Sequence, residues 1–231
     1  MTAAQAWIGY AGTVALAAVL GGVVARQRYR IWYFFALFLA VTLISTLMIA
    51  AWPGRFYTHG FWQAKETALN LLRFGMALEL AYRTFRAFPG ALTTLRWALL
   101  FVLAATFVAV FAVSGGGTDF RSFMTDIHPR VLNGSIWLFT AIAASILWYR
   151  LPVNAFHKAV LLSYVPFLLI FTVTMNALGS VTRDRLEWLS YLYQLAYLAL
   201  MIHWANAAWR RAEAPARPPG MNAPLRARVS A

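Results

Sequence analysis

The sequence predicts an all-α polytopic membrane protein, a bundle of seven transmembrane helices with the N-terminus outside the cytoplasm and the C-terminus inside. Three observations predict it. Of 231 residues, 61% are apolar and only 12% charged, about half the charged share usual in a soluble domain. The apolar residues fall into seven blocks of roughly 20, long enough at about 1.5 Å per residue to cross a ~30 Å hydrocarbon layer. The cations, finally, crowd the connections on one side of these blocks.

In order, the blocks span residues 7–24, 31–52, 61–85, 95–113, 131–149, 159–178 and 186–209, and the short connections carry the breakers Pro53-Gly54, Pro89-Gly90, Ser114-Gly115-Gly116-Gly117 and Leu151-Pro152. The first block does not read as a cleaved signal peptide. Nothing positive precedes it, whereas Arg26, Arg28 and Arg30 follow, the reverse of a secretory leader. Runs of this length in lipid have to be helices, because every backbone donor and acceptor must be satisfied within the segment. Gly9, Gly12, Gly21, Gly22 and the alanines of 141–144 would let helices approach closely. Residues 1–210 thus form one seven-helix transmembrane domain. Residues 211–231 form a basic, Pro/Ala-rich cytoplasmic tail with too little apolar content to pack, expected to be disordered.

Orientation follows from counting. One side holds Arg26, Arg28, Arg30, Arg83, Arg86, Arg96, Arg150, Lys158, Arg210, Arg211, Arg217, Arg226 and Arg228, thirteen cations; the other holds Arg55, Arg121, Arg130, Arg183 and Arg185, five. The richer side belongs in the cytoplasm of a multi-pass inner-membrane protein. A net charge of +13 carried between and beyond the blocks suits anionic lipid on the cytoplasmic face and argues against nucleic acid as partner. Without cysteine there is no disulfide, thiolate nucleophile, Cys-ligated zinc or iron–sulfur cluster, and no metal site is predicted.

Ionisable residues at membrane depth are expensive and mark sites by default. In the third block Glu66, Asn70 and Arg73 stand at i, i+4 and i+7, hence on one face, with Arg73 about 18 Å in, near mid-bilayer. Asn133 and Asn176, near the outer ends of the fifth and sixth blocks, and Gln194, at about the depth of Asn70, complete a candidate outward-facing polar pocket, with Tyr197 beside it. The alternative is a polar network in which Arg73 bonds Glu66 or Asn70 and only fixes helix packing. On the cytoplasmic half, Glu79 and Arg83 are i, i+4, and His203 in the last block lies at a similar depth. They form either an interfacial salt bridge with snorkelling arginines or a proton-linked switch between the third and seventh helices.

Tyr193, Tyr197 and Trp204 make one stripe of the seventh block, read as packing, and Pro166 should kink the sixth. His59 and His128 near the outer face and His157 and His203 near the inner one raise the question of paired haems. No helix, however, carries two histidines spaced across the bilayer, which argues against haem.

Seven helices with N outside resemble the topology of microbial rhodopsins. That family holds retinal on a seventh-helix Lys, and the only lysines here are Lys65 and Lys158, so covalent retinal at that place is excluded. The three-plus-one-plus-three sugar transporters share the topology, but their Pro-Gln signature is absent. The run Phe61-Trp62-Gln63-Ala64-Lys65-Glu66-Thr67-Ala68-Leu69, continuing to Glu79-Leu80-Ala81-Tyr82-Arg83, and the seventh block ending His203-Trp204 resemble a group of uncharacterised bacterial seven-helix integral membrane proteins. That resemblance covers about half the chain and implies no established activity.

No Ser/His/Asp arrangement, phosphate-binding Gly loop or paired membrane carboxylates occur. Glu66 and Glu79 are 13 positions apart, about 20 Å along a helix, too far to cooperate. The expectation is a non-enzymatic membrane protein that binds a small molecule, lipid or partner helix, as a sensor or as an accessory subunit alongside other membrane proteins or further copies of itself. The alternative is a transporter of a small polar or anionic solute.

Overall fold

The computed structural model describes residues 3–85, 97, 128–148, 153–177 and 183–210. Among these, all regular structure is helical: α1 (Ala3–Ala25), a 3₁₀ turn (Arg28–Arg30), α2 (Tyr33–Ala51), the four-residue α3 (Pro53–Phe56), α4 (His59–Phe85), α5 (His128–Trp148), α6 (Ala155–Ala177) and α7 (Arg183–Trp209). Six of the seven expected blocks therefore coincide with long helices, within a few residues at each end. The fourth, 95–113, lies outside the described residues apart from Trp97. Pro53-Gly54, expected only to break the chain, instead starts α3, with Pro53 at the first helical position, where its missing N–H costs nothing. Pro166 lies inside α6, which runs through it.

Three helices, α1, α2 and residues Ala155–Thr174 of α6, are long and apolar enough to cross a membrane, which marks the chain as a membrane protein. α4 and α7 are longer, 27 residues each, but carry charges along their length or at one end. The outer surface is apolar in the same sense. Val14, Ile44, Leu71, Leu147, Val173 and Ile202, one from each long helix, are exposed, whereas Glu66, Asn70 and Arg73 are buried. A water-soluble domain partitions the opposite way. Several hydroxyls along the helices bond back to their own backbone: Thr42 to the Phe38 carbonyl, Ser145 to Ala141 and Thr174 to Ile170. This leaves them no unmet donor facing an apolar medium.

The long helices close a ring: α1 packs on α2 and α7, α2 on α4, α4 on α5, α5 on α6, and α6 on α7. At one end, called the upper end here, α1, α4, α5 and α7 begin and α2 and α6 finish. The lower end is tightly tied. Trp32, Phe35, Phe156 and Trp204 form an aromatic layer, with Phe35 5.1 Å from Trp204 and 4.9 Å from Trp32, centroid to centroid. The Trp204 indole N–H donates to the Ser163 hydroxyl (2.9 Å), so the buried polar tip of the ring is satisfied.

The N-terminus of α2 has no side-chain cap of its own. The Glu79 carboxylate reaches across from α4 and accepts from the backbone N–H groups of Tyr33 (3.1 Å) and Phe34 (2.9 Å). An anion at the positive end of the helix dipole is a favourable placement.

α1 and α7 are held by small residues. A Cβ at Gly22 would sit 2.9 Å from the Trp209 Nε1 and 3.0 Å from the Ala208 Cβ, and that indole N–H donates to the Ala18 carbonyl (2.9 Å). A Cβ at Gly21 would have more room, 3.8 Å from the Trp209 ring at ordinary van der Waals contact. Gly22→Leu is therefore expected to cost about 1–3 kcal/mol by overpacking, read as a lower melting midpoint in detergent, while Gly21→Leu leaves it close to wild type. Equal effects would show that α1 and α7 do not meet through Gly22.

Candidate functional site

The ring encloses a cavity of about 460 Å³ in its upper half, within the ~300–1,000 Å³ usual for small-molecule sites. Five helices contribute walls: Ile8, Gly9 and Thr13 of α1; Thr42 and Thr46 of α2; Trp62, Lys65, Glu66 and Arg73 of α4; Tyr164, Phe167 and Phe171 of α6; and Tyr193, Gln194 and Tyr197 of α7. The residues nearest the helix ends, Ile8, Thr46 and Trp62, all belong to the upper end. Below Arg73 the cavity meets the packed layer around Phe35 and Trp204.

Spacing alone set Glu66, Asn70 and Arg73 on one face of the third helix, and all three are buried inward. Arg73 is 8% exposed. Its Nη1 donates to the Asn70 Oδ1 (2.5 Å), one turn back on the same helix. The Phe38 ring lies 5.7 Å from its Cζ, and the Tyr164 hydroxyl oxygen accepts a hydrogen bond from the guanidinium. Its Nε is buried with no hydrogen-bond partner among the described residues.

Glu66 forms an ion pair with Lys65 (3.1 Å), and the Lys65 ammonium stands 3.6 Å over the Trp62 ring. Lys65 was missed from sequence because adjacent residues point to different sides of a helix. Its four-carbon stem carries the ammonium round to Glu66 and Trp62, and the preceding Trp is the only signal that could have suggested it. Two cations and one carboxylate line the described cavity wall, leaving one formal positive charge.

Gln194 lines the wall opposite, its Nε2 3.5 Å from the Ser190 hydroxyl and its Oε1 buried without a partner among the described residues. Because a hydroxyl can donate or accept, the amide presents one open hydrogen-bonding position whichever way it is turned. Tyr193, Tyr197 and Trp204, read from sequence as a packing stripe, all reach the cavity. Trp204 is fully buried at its floor, and the two tyrosines stand higher on its wall. They complete an aromatic wall in which Phe167 stacks on Tyr164 (6.2 Å, interplanar 15°) and on Phe171 (6.3 Å, 11°), and Tyr193 lies 5.3 Å from Phe171.

Other expected members stand apart. Asn133 is on the exposed side of α5 and lines no part of the cavity. A lone polar residue near a helix end does not fix the rotation of that helix. Asn176 falls within α6, its side chain outside the described residues. The alternative reading of a switch between Glu79 and His203 finds no contact between the two side chains. His203 is exposed on α7, about 100° round the helix from buried Trp204. Glu79 instead bonds Arg83 Nε (3.0 Å) and Nη2 (2.8 Å) as well as the end of α2. The salt-bridge reading of that pair is the one the structure builds.

The lower end holds a second polar group that sequence reasoning did not assemble. Arg28 is buried, its Nη2 donating to the Arg210 carbonyl (2.6 Å) and its Cζ 4.5 Å over the Phe156 ring. The His157 ring packs edge-on to Trp32, 4.8 Å between centroids. Burial, and secondarily the neighbouring Arg26, pull the Arg28 guanidinium below its ordinary range, though a guanidinium stays charged in proteins. These contacts staple the α1–α2 turn to the ends of α6 and α7 and close the ring beneath the cavity.

The fold and the cavity together define a helical membrane protein with a ligand-sized, partly charged interior. No family model matches the chain, and no curated protein or solved structure is detectably similar to it.

Proposed function

We propose that the chain is a multi-pass membrane protein of seven spanning helices, N-terminus out and C-terminus in, that binds a small molecule in the cavity beside Arg73 and works without catalysis. It would serve as a sensor or as the ligand-binding subunit of a larger membrane assembly, in the cytoplasmic membrane. The observation that carries the binding is Arg73 itself. A buried cation whose side-chain partners are the neutral Asn70 amide and Tyr164 hydroxyl, and whose Nε has no partner among the described residues, costs several kcal/mol. A structural network would be expected to neutralise that charge, and a bound anion would repay it.

Exposed aromatics support the membrane reading. Trp7, Trp52, Tyr57 and Trp188 cluster at the upper end, and Tyr33, Tyr82, Trp148 and Trp209 at the lower, as interfacial belts do.

Because the chain lacks cysteine, orientation is directly testable with single introduced thiols. A membrane-impermeant maleimide is expected to label Tyr57→Cys in intact cells, and Ser230→Cys only after permeabilisation. The reverse pattern would invert the topology. The transporter reading is favoured instead by one observation, that the cavity walls reach one end of the ring and stop at a packed layer, as in one state of an alternating-access cycle. Protein reconstituted in liposomes is expected to show saturable binding without accumulation of small organic acids. Concentrative or counterflow uptake lost in Arg73→Gln would replace the sensor with a transporter.

A further inference from the structure

We infer that the cavity ligand is a small carboxylic acid on a flat, unsaturated body, its carboxylate held on the Nε–Nη2 edge of Arg73 and its ring laid against the α6–α7 aromatic wall. The inference rests on the ligand-binding reading above and specifies what is bound.

The charge balance calls for one negative charge. Lys65 and Glu66 pair with each other, and the charge left over is that of Arg73. A monoanion neutralises it, whereas a phosphate monoester dianion would leave one negative charge in excess.

The geometry of the arginine selects the head group. Asn70 occupies Nη1, and Nε is the unpartnered nitrogen. The edge that carries this nitrogen is Nε–Nη2, whose two parallel N–H groups match the two oxygens of a carboxylate. Tyr164, beside the guanidinium, can donate a third hydrogen bond to the same group.

The wall selects the body. Tyr164, Phe167 and Phe171 are nearly parallel along α6, and Tyr193 and Tyr197, 30° from parallel to each other on α7, pack against them at a tilt. Rings presented in this way favour a planar partner by offset stacking, worth about 0.5–1.5 kcal/mol per pair beyond area. A flexible acyl chain gains no such term and loses more entropy on ordering. Gln194, with one hydrogen-bonding position open, would recognise a second polar atom, a ring hydroxyl or amino group.

The test uses the purified full chain in nanodiscs, with binding read by quenching of intrinsic Trp fluorescence and by the shift of the melting midpoint. The probes are 2-naphthoate, its neutral isostere 2-naphthamide, octanoate and inorganic phosphate. Expected are saturable binding of 2-naphthoate with a melting shift of several degrees, and affinity at least about tenfold weaker for 2-naphthamide and for octanoate. Phosphate should produce no shift. Arg73→Gln should reduce 2-naphthoate affinity at least about tenfold and leave 2-naphthamide unaffected; Arg73→Lys should fall between. The contrast between naphthoate and naphthamide is made within the wild-type protein, so it stands even where a variant folds poorly.

Equal binding of acid and amide, or preference for octanoate or phosphate, would overturn the inference while leaving a ligand-binding cavity in place. No binding by any probe alongside a co-purified small molecule of other chemistry would do the same. If no probe binds and no molecule co-purifies, the ligand-binding reading fails with it.

Discussion

Arg73→Met is expected to abolish retention of the cavity ligand while leaving the empty protein as stable as wild type, or about 1 kcal/mol more stable. The two halves of this result come from the same geometry. The guanidinium is buried, bonded to Asn70 by one nitrogen and lacking a partner at another, so an apolar side chain of similar length removes an uncompensated desolvation cost from the empty state. The ligand loses its counter-charge and both members of a bidentate contact. A residue whose task is to fix helix packing behaves in the opposite way. Truncating one partner of a satisfied buried network costs about 3–5 kcal/mol and leaves binding affected only through unfolding. Melting curves of the ligand-stripped variant and wild type, measured side by side with ligand titrations, separate the two outcomes.

Glu79→Ala should destabilise the fold by about 2–3 kcal/mol, although its carboxylate is not at the cavity. The side chain caps a helix that is not its own, accepting two backbone N–H groups at the start of α2 while gripping Arg83. Removing it strands Tyr33 and Phe34 at the junction where α2 meets α4. Arg83→Ala tests the source of the effect. Arg83 is 41% exposed in its side chain, and an ion pair of that kind is worth under about 1 kcal/mol. Thermal unfolding of both variants should therefore show a much larger loss for Glu79→Ala. Equal losses would assign the stability to the ion pair and remove the cap from the explanation.

What could be read in advance was what depends on runs and spacing. The long helices follow from unbroken apolar stretches ended by Gly, Pro and Arg, and their ends lie within a few residues of the expected bounds. The inward face of α4 followed from Glu66, Asn70 and Arg73 sharing one side, together with the cost of any of them meeting lipid.

What could not be read depends on how each helix is rotated and which neighbour it meets. Trp204 and His203 are adjacent in sequence, yet one is in the core and the other outside; hydropathy assigns both to the same helix without choosing between them. Asn133 was drawn into the pocket by its polarity and depth, and the rotation of α5 placed it outside. Glu79 was seen with Arg83, four residues away, but its bonds to α2, more than forty residues back, leave no local trace. The aromatic wall was hidden for the same reason. Phe167 and Phe171 look like any other apolar residues of a spanning helix until Tyr193 and Tyr197 are set opposite them.

Native mass spectrometry of wild type and Arg73→Met, extracted in parallel in mild detergent, tests the binding cavity most directly. One small anion of fixed mass per wild-type chain is expected, absent from the variant. Equal occupancy of both, or no adduct beyond lipids of variable number, would contradict it.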